Sequence, residues 1–254
     1  MSGHSKWSQI KRQKGVADAK RGQIFTKLAR EIIVAVREGG SNPDANFRLR
    51  LAIQRARDSS MPMDNIDRAI KRGSGQTEGT SLVEMVLEGY GPSGAAIMVK
   101  ALSDNRNRTL QDVRNIFSRH GGNLGESGCV AWLFDSRGVI TVDTNELDAE
   151  ELALGAIDAG AEDVKIETNY IEVYTKPEEL EKVREALKQK NIPIASSELS
   201  MVPKTTVQLE EKAALQTLKL LDKLEELDEV QHVSSNADFP DSILEKYQSL
   251  SLAR

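Results

Sequence analysis

The residues best suited to chemistry in this 254-residue chain are cationic and crowded at one end. Residues 1–72 carry sixteen Lys and Arg against seven Asp and Glu, a net charge of +9; the other 182 residues carry eighteen against thirty-two, a net of −14. The whole-chain value of −5 averages over that division. A guanidinium is permanently charged and presents a planar fork of donors that matches phosphate, and an ammonium adds a compact point charge. Such a concentration points to a polyanionic partner, and the acidic remainder to a body that stays off it. The candidates form two sets. Lys6, Lys11, Arg12, Lys14, Lys20 and Arg21 lie in a glycine-punctuated arm, and Lys27, Arg30, Arg48, Arg50, Arg55, Arg68, Lys71 and Arg72 lie on segments with helical periodicity. Trp7, within the arm, either stacks on an exposed base or staples the arm onto the helices. The competing explanation for the whole set is a solvated, salt-bridged helix surface, of which Lys27 with Glu31 is an instance.

A second candidate contact is the glycine-rich stretch His120-Gly-Gly-Asn-Leu-Gly-Glu-Ser-Gly128. It fits neither a P-loop nor a dinucleotide fingerprint, since no Gly-Lys-Ser/Thr follows and the flanking order is helix then strand. It reads either as a finger close to Arg106 and Arg108 that presents His120 and Asn123 to nucleic acid, or as a long connection needing positive φ. Catalytic chemistry finds little support. The histidines His4, His120 and His232 lie in unrelated elements, a lone cysteine gives no zinc spacing, and Cys129 reads as a small buried apolar residue. The expectation is a non-enzyme with no cofactor and no metal. One cysteine forms no intramolecular disulfide, and the opening Met-Ser-Gly-His-Ser-Lys-Trp lacks the apolar stretch of a signal peptide. The longest apolar candidate, Ile24 to Val36, is interrupted by Lys27, Arg30 and Glu31, so no membrane partner is expected and the address is cytoplasmic.

These groups need a scaffold, and the apolar spacing supplies one. Ile24, Leu28, Ile32, Ala35 and Val36 predict a helix over 23–38; Leu49, Ala52, Ile53 and Ala56 a second over 44–58; and Asp64 caps a third through Arg72. Gly73 to Gly79 reads as a linker that lets this basic helical domain, 1–78, swing. Beyond it the period changes to that of strands, at 83–90 and 95–102 around Gly91-Pro-Ser-Gly94, then a helix at 106–120 and a strand at 130–134. From Gly138 the order strand-helix-strand-strand-helix-strand is ferredoxin-like, ending in extended chain from Ile194. The final part, with a strand at 199–202, a helix at 210–226 and a strand at 230–233, is expected to complete the sheet opened at Val83. The expected class is α+β: an N-terminal three-helix domain, then two ferredoxin-like α/β domains, a discontinuous one (79–134 plus 197–254) and one inserted in it (135–196).

Seven blocks carry a resemblance across essentially the whole chain. They are Ser2-Gly-His-Ser-Lys-Trp7 with Ile10-Lys11; Leu49-Arg-Leu-Ala-Ile53; Met61-Pro62, Asp64-Asn-Ile66 and Ala69-Ile70; Glu88-Gly-Tyr-Gly-Pro92; Asp104-Asn-Arg-Asn-Arg-Thr109; His120-Gly-Gly-Asn-Leu-Gly125; and Ser235-Asn-Ala-Asp238. Together they resemble the YebC/PmpR family. The resemblance implies three domains, the first helical and the others α/β, and a role in regulating gene expression. Its members are conventionally described as DNA-binding transcriptional regulators, while the related mitochondrial translational activator of cytochrome c oxidase and some bacterial members are placed on the ribosome, easing stretches such as proline runs. Departures are Phe47 for the usual proline, Cys129 for serine, and His232-Val-Ser234 for asparagine-valine-tyrosine.

Two partners therefore stand open, DNA and ribosomal or transfer RNA. No helix-turn-helix with a polar recognition helix is evident, and no dimerisation segment matches a palindromic site, which favours a monomer. A basic arm and α/β units suit irregular RNA, recognised by shape and splayed bases, with the ribosome as the larger partner.

Overall fold

The computed structural model describes residues 18–76, 81–144 and 147–252. In chain order these form the helices α1 (Asp18–Gly39), α2 (Phe47–Asp58) and α3 (Met63–Gly73), then β1 (Val83–Tyr90), β2 (Ala96–Ser103), α4 (Arg106–Arg119) and β3 (Asn123–Leu124). They continue with β4 (Phe134–Asp143), α5 (Ala149–Asp158), β5 (Asp163–Ile166), β6 (Tyr170–Thr175), α6 (Leu180–Gln189) and β7 (Ile194–Pro203). The last are β8 (Val207–Gln208), α7 (Glu211–Glu225), β9 (Val230–Ser235), β10 (Ala237–Asp238) and α8 (Asp241–Leu252). The fold is α+β, with N-terminal helices followed by α/β domains. Its contacts gather into two units, Met1–Phe134 with Pro203–Arg254, and Asp135–Val202.

The helices pack because their apolar residues share one stripe each. Leu28, Ile32, Ala35 and Val36 of α1 meet Leu49, Ala52, Ile53 and Ala56 of α2 and Ile66 and Ala69 of α3 in one core. Asn46, buried at the α1–α2 corner, caps α2 by accepting the Leu49 N–H at 3.0 Å and donates to the carbonyls of Ala35 and Gly40 at 2.7 and 2.8 Å. The third helix starts differently from the expectation. Its N-cap position is Pro62, without a side-chain cap, and Asp64 sits within the first turn. Gly73, read from sequence as linker, ends that helix against α1, where an added Cβ would stand 2.7 Å from Val36 Cβ and 2.9 Å from the Ile33 carbonyl oxygen.

In the same unit a four-stranded antiparallel sheet has the order β3-β1-β2-β9. One face of β2 (Ile97, Val99, Ala101) packs with Val113 and Phe117 of α4, Leu218 and Leu221 of α7 and Val233 of β9. Side chains alternate along a strand, so Glu84, Val86, Glu88 and Tyr90 of β1 turn to the opposite face. Sequence predicts a strand at 130–134. Instead a 3-10 turn spans Ala131–Leu133, because the N–H groups of Val130 and Ala131 bond the Glu88 carboxylate rather than a neighbouring strand. Where the chain departs and returns, the Lys204 N–H donates to the Leu133 carbonyl at 2.9 Å.

The unit Asp135–Val202 is a four-stranded sheet ordered β5-β6-β4-β7, built from the chain order strand-helix-strand-strand-helix-strand. Strand β6 is buried along its whole length, and Asp148 caps α5 by accepting the Glu150 N–H at 2.9 Å. The segment 199–202, expected to return to the first sheet, belongs here: β7 runs unbroken to Pro203.

Candidate nucleic-acid interface

Folding separates the basic residues into those facing carboxylates and those facing outward. Lys27 donates to the Glu225 carbonyl at 2.5 Å, and Arg30 donates to the Leu102 carbonyl at 3.2 Å and lies 3.6 Å from Glu229. Arg48 bridges Glu38 and Glu84, the latter at 2.5 Å, and Glu84 also holds Lys100 at 3.0 Å. Burial disfavours both charges of the Arg48–Glu84 pair, yet the mutual hydrogen bonds and attraction win, holding Arg48 above and Glu84 below their ordinary pKa values. Arg55 donates to both Glu31 oxygens, at 3.0 and 2.9 Å, and meets His232 Nε2 at 3.1 Å. These bonds seat α1 and α2 on β1, β2, β9 and the end of α7, and all belong to one compact unit. The sequence expects Gly73 to Gly79 to let the helices swing; the contacts instead gather helices and sheet into one unit, and residues 77–80 lie outside the described residues.

The outward set is different. Arg68 is exposed and, among the described residues, bonds locally, to the Asp64 carbonyl and the Asn65 side chain. Arg57, Lys71 and Arg72 are exposed with no carboxylate partner among the described residues. Arg68, Lys71 and Arg72 share one face of α3 and line a groove of about 640 Å³ against α1, whose apolar lining includes Phe25, Ala29, Ile33 and Met61. Arg50 donates to the carbonyls of Pro43 and Asp44 at 2.7 and 3.0 Å, with its guanidinium 5.8 Å from the Phe47 ring centre. Phe47 thus has a contact that proline could not make. Lys6, Trp7, Lys11, Arg12 and Lys14 lie outside the described residues, Lys20 lies in the first turn of α1, and Arg21 is exposed on α1.

The second candidate cluster is not one cluster. Arg106 and Arg108 begin α4, whereas His120 and Asn123 follow its end, and fourteen helical residues rise about 21 Å. Arg106 is exposed, and Arg108 pairs with Asp104 at 2.7 Å and Glu229 at 3.1 Å, beside the helical module. His120 caps the helix, its Nδ1 2.9 Å from the Ile116 carbonyl oxygen.

The glycine-rich loop is anchored by a residue that the sequence marked only as part of the Glu88-Gly-Tyr-Gly-Pro92 block and gave no role at the site. Glu88 is buried, and its carboxylate accepts the N–H groups of Gly128 at 2.7 Å and of Val130 and Ala131 at 2.8 Å each. Burial raises its pKa, but the three donors outweigh burial and hold it below the ordinary value. Gly121 and Gly128 have positive φ, while Gly122 and Gly125 are needed for close approach: a Cβ there would stand 2.7 Å from the Tyr90 carbonyl oxygen and 2.6 Å from Cys129 Sγ. The structure therefore supports a pinned connection rather than a free finger. Beyond it Trp132 is 66% exposed. The sequence analysis did not single it out; Trp132 lies four residues beyond Gly128, in a segment read as a strand.

A basic helical module seated on an antiparallel α/β sheet, interrupted by a second α/β unit, defines the class. Residues 5–76 match the family model described as the TACO1/YebC protein N-terminal domain, and residues 82–237 the model for the TACO1/YebC second and third domain. The chain belongs to the TACO1/YebC family. A protein of Dehalococcoides mccartyi strain BAV1, named a "probable transcriptional regulatory protein", is 61% identical over 249 residues, 98% of this chain and 99% of its own. One of Natranaerobius thermophilus with the same name is 50% identical, over 96% and 99% of the two chains. The crystal structure of a conserved hypothetical protein from Aquifex aeolicus is 50% identical and superposes with a TM-score of 0.83, covering 89% of this chain and 94% of that one.

Proposed function

We propose that this chain is a nucleic-acid-binding regulator of gene expression whose α1–α3 groove holds a phosphate backbone. The observation that carries this reading is the contrast between spent and available cations. Arg30, Arg48 and Arg55 are committed to carboxylates, while Arg57, Lys71 and Arg72 project to solvent without one among the described residues. The names of the relatives, as probable transcriptional regulatory proteins, support regulation as the purpose and a nucleic acid as the partner.

A second reading, a translation factor on ribosomal or transfer RNA, draws on the polarity of α3. A recognition helix reads bases with its N-terminal residues. Here that end carries Asp64 and Asp67, which repel a phosphate backbone, and the cations gather at the other end. Contacts of that kind follow the backbone rather than the base sequence, which suits shape-directed recognition of RNA.

Reversal of Arg68, Lys71 and Arg72 to Glu tests the groove. The variant is expected to keep its helical fold, bind more weakly, and show a salt slope about 2–3 lower in magnitude, as three lost phosphate contacts require. Wild-type affinity in that variant would place the contact elsewhere. Crosslinking in cells with sequencing, alongside ribosome sedimentation, separates the partners: promoter fragments without ribosomal RNA support transcription, and ribosomal RNA in the heavy fractions supports translation.

A further inference from the structure

The geometry points to a second nucleic-acid contact, a base-stacking platform made by Tyr90 and Trp132 that takes unpaired bases of a single strand. This inference rests on the nucleic-acid reading above. Tyr90 Oη and Trp132 Nε1 donate to the same acceptor, the Cys129 carbonyl oxygen, at 2.9 and 3.1 Å. Two bonds to one atom hold the polar edges of the two rings within 6 Å of each other, the sum of those distances. Both residues are nonetheless exposed, Tyr90 by 38% and Trp132 by 66%. Tyr and Trp, each with an apolar ring and a polar edge that finds a partner, are enriched where proteins meet other molecules, and here two such rings stand together.

The surroundings fit a nucleotide. Asn123 pairs directly with Tyr90 in the antiparallel register, so its exposed amide stands on the same face of the sheet edge and offers a donor and an acceptor to a base edge. The Lys204 ammonium donates to the Trp132 carbonyl at 3.0 Å, which puts a positive charge against the backbone that carries the indole. The support is rigid, since Glu88 ties the Gly128–Ala131 backbone that carries Cys129. Stacking tolerates any base, so the platform supplies affinity for unpaired strands without sequence preference. A duplex, with its bases already stacked on each other, gains nothing from it.

The test uses the full chain, wild type at Trp7 for the affinities and Trp7→Phe, which leaves Trp132 as the sole indole, for the fluorescence, titrated with a 12-nucleotide oligouridine, with its abasic sugar-phosphate counterpart, and with a 12-base-pair duplex. Oligouridine is expected to quench Trp132 fluorescence saturably and the abasic strand to leave it unchanged. Trp132→Ala should weaken oligouridine binding about tenfold while leaving duplex affinity intact, and Trp132→Phe should restore most of the loss. Oligouridine binding without quenching, and unaffected by Trp132→Ala, overturns the platform while leaving the groove reading in place. Loss of duplex and oligouridine binding alike in Trp132→Ala also overturns it, because that pattern marks a structural role. If the wild-type chain binds none of the three, the groove reading fails and the platform with it.

Discussion

Glu88 Oε1 and the Gly128 N–H meet at 2.7 Å across forty residues of sequence, and the other oxygen takes Val130 and Ala131. Glu88→Gln keeps one acceptor but sets an amide N–H against backbone donors, and is expected to cost about 2–3 kcal/mol in urea unfolding. The pH dependence follows from the lowered folded pKa. The contribution is present above the unfolded value near 4.5 and is lost as pH falls through the folded value, so wild-type stability should drop on acidification below about 4.5 and the Gln variant should drop less.

Arg55 and Arg72 should separate stability from binding. Arg55→Glu places a like charge against Glu31 at a half-buried site and is expected to destabilise by about 2 kcal/mol. Arg72→Glu, at an exposed position without a carboxylate partner among the described residues, should stay within about 0.5 kcal/mol of wild type yet weaken nucleic-acid binding. Thermal melts alongside a binding titration check both; an unchanged melt for Arg55→Glu would remove that pair from the seating of α1 and α2.

Gly73→Ala tests a conflict of two effects. Helix propensity favours Ala by about 1 kcal/mol, but the new methyl meets Val36 Cβ and the Ile33 carbonyl, and that overpacking costs about 1–3 kcal/mol. Backbone does not yield as a flexible side chain does, so net destabilisation is expected. A raised melting temperature would show that α1 and α3 can separate freely.

Cys129 should be a sluggish thiol. Burial first, and then the Glu88 and Glu126 charges, raise its pKa, which lowers the thiolate fraction at neutral pH. Alkylation by iodoacetamide at pH 7.5 is expected to be slower in the native protein than after denaturation in urea; equal rates would mean the loop opens readily.

Much of the fold was legible because its elements depend on local pattern. Strand β1 falls at 83–90, where alternation placed it, and the stripe of Leu49, Ala52, Ile53 and Ala56 is in the core. The strand placed at 130–134 was not legible, because Val130 and Ala131 are claimed by a carboxylate more than forty residues away. The basic character of the first helices was also plain. Which cations are spent was not: Arg48 and Arg55 share a face on α2 that looks free until Glu84 of β1 and His232 of β9 are brought against it. Arg106 and His120 looked adjacent in a motif list, and only the length of α4 sets them apart. Trp132 had no periodicity to reveal it, since it stands in a single 3-10 turn.

Strand β2 lies at the centre of its sheet, yet its two neighbours reach it at very different moments of synthesis. Strand β1 is already made when β2 emerges, but 126 residues separate the end of β2 from the start of β9. At roughly 5–20 residues per second the nascent chain spends about 6–25 s with that flank of β2 bare, an unpaired edge of the kind that recruits foreign strands. Asp135–Val202 has every strand of its own sheet within that interval and can close before the host sheet does. A nascent chain halted before Val230 therefore holds a finished insert within an unfinished host.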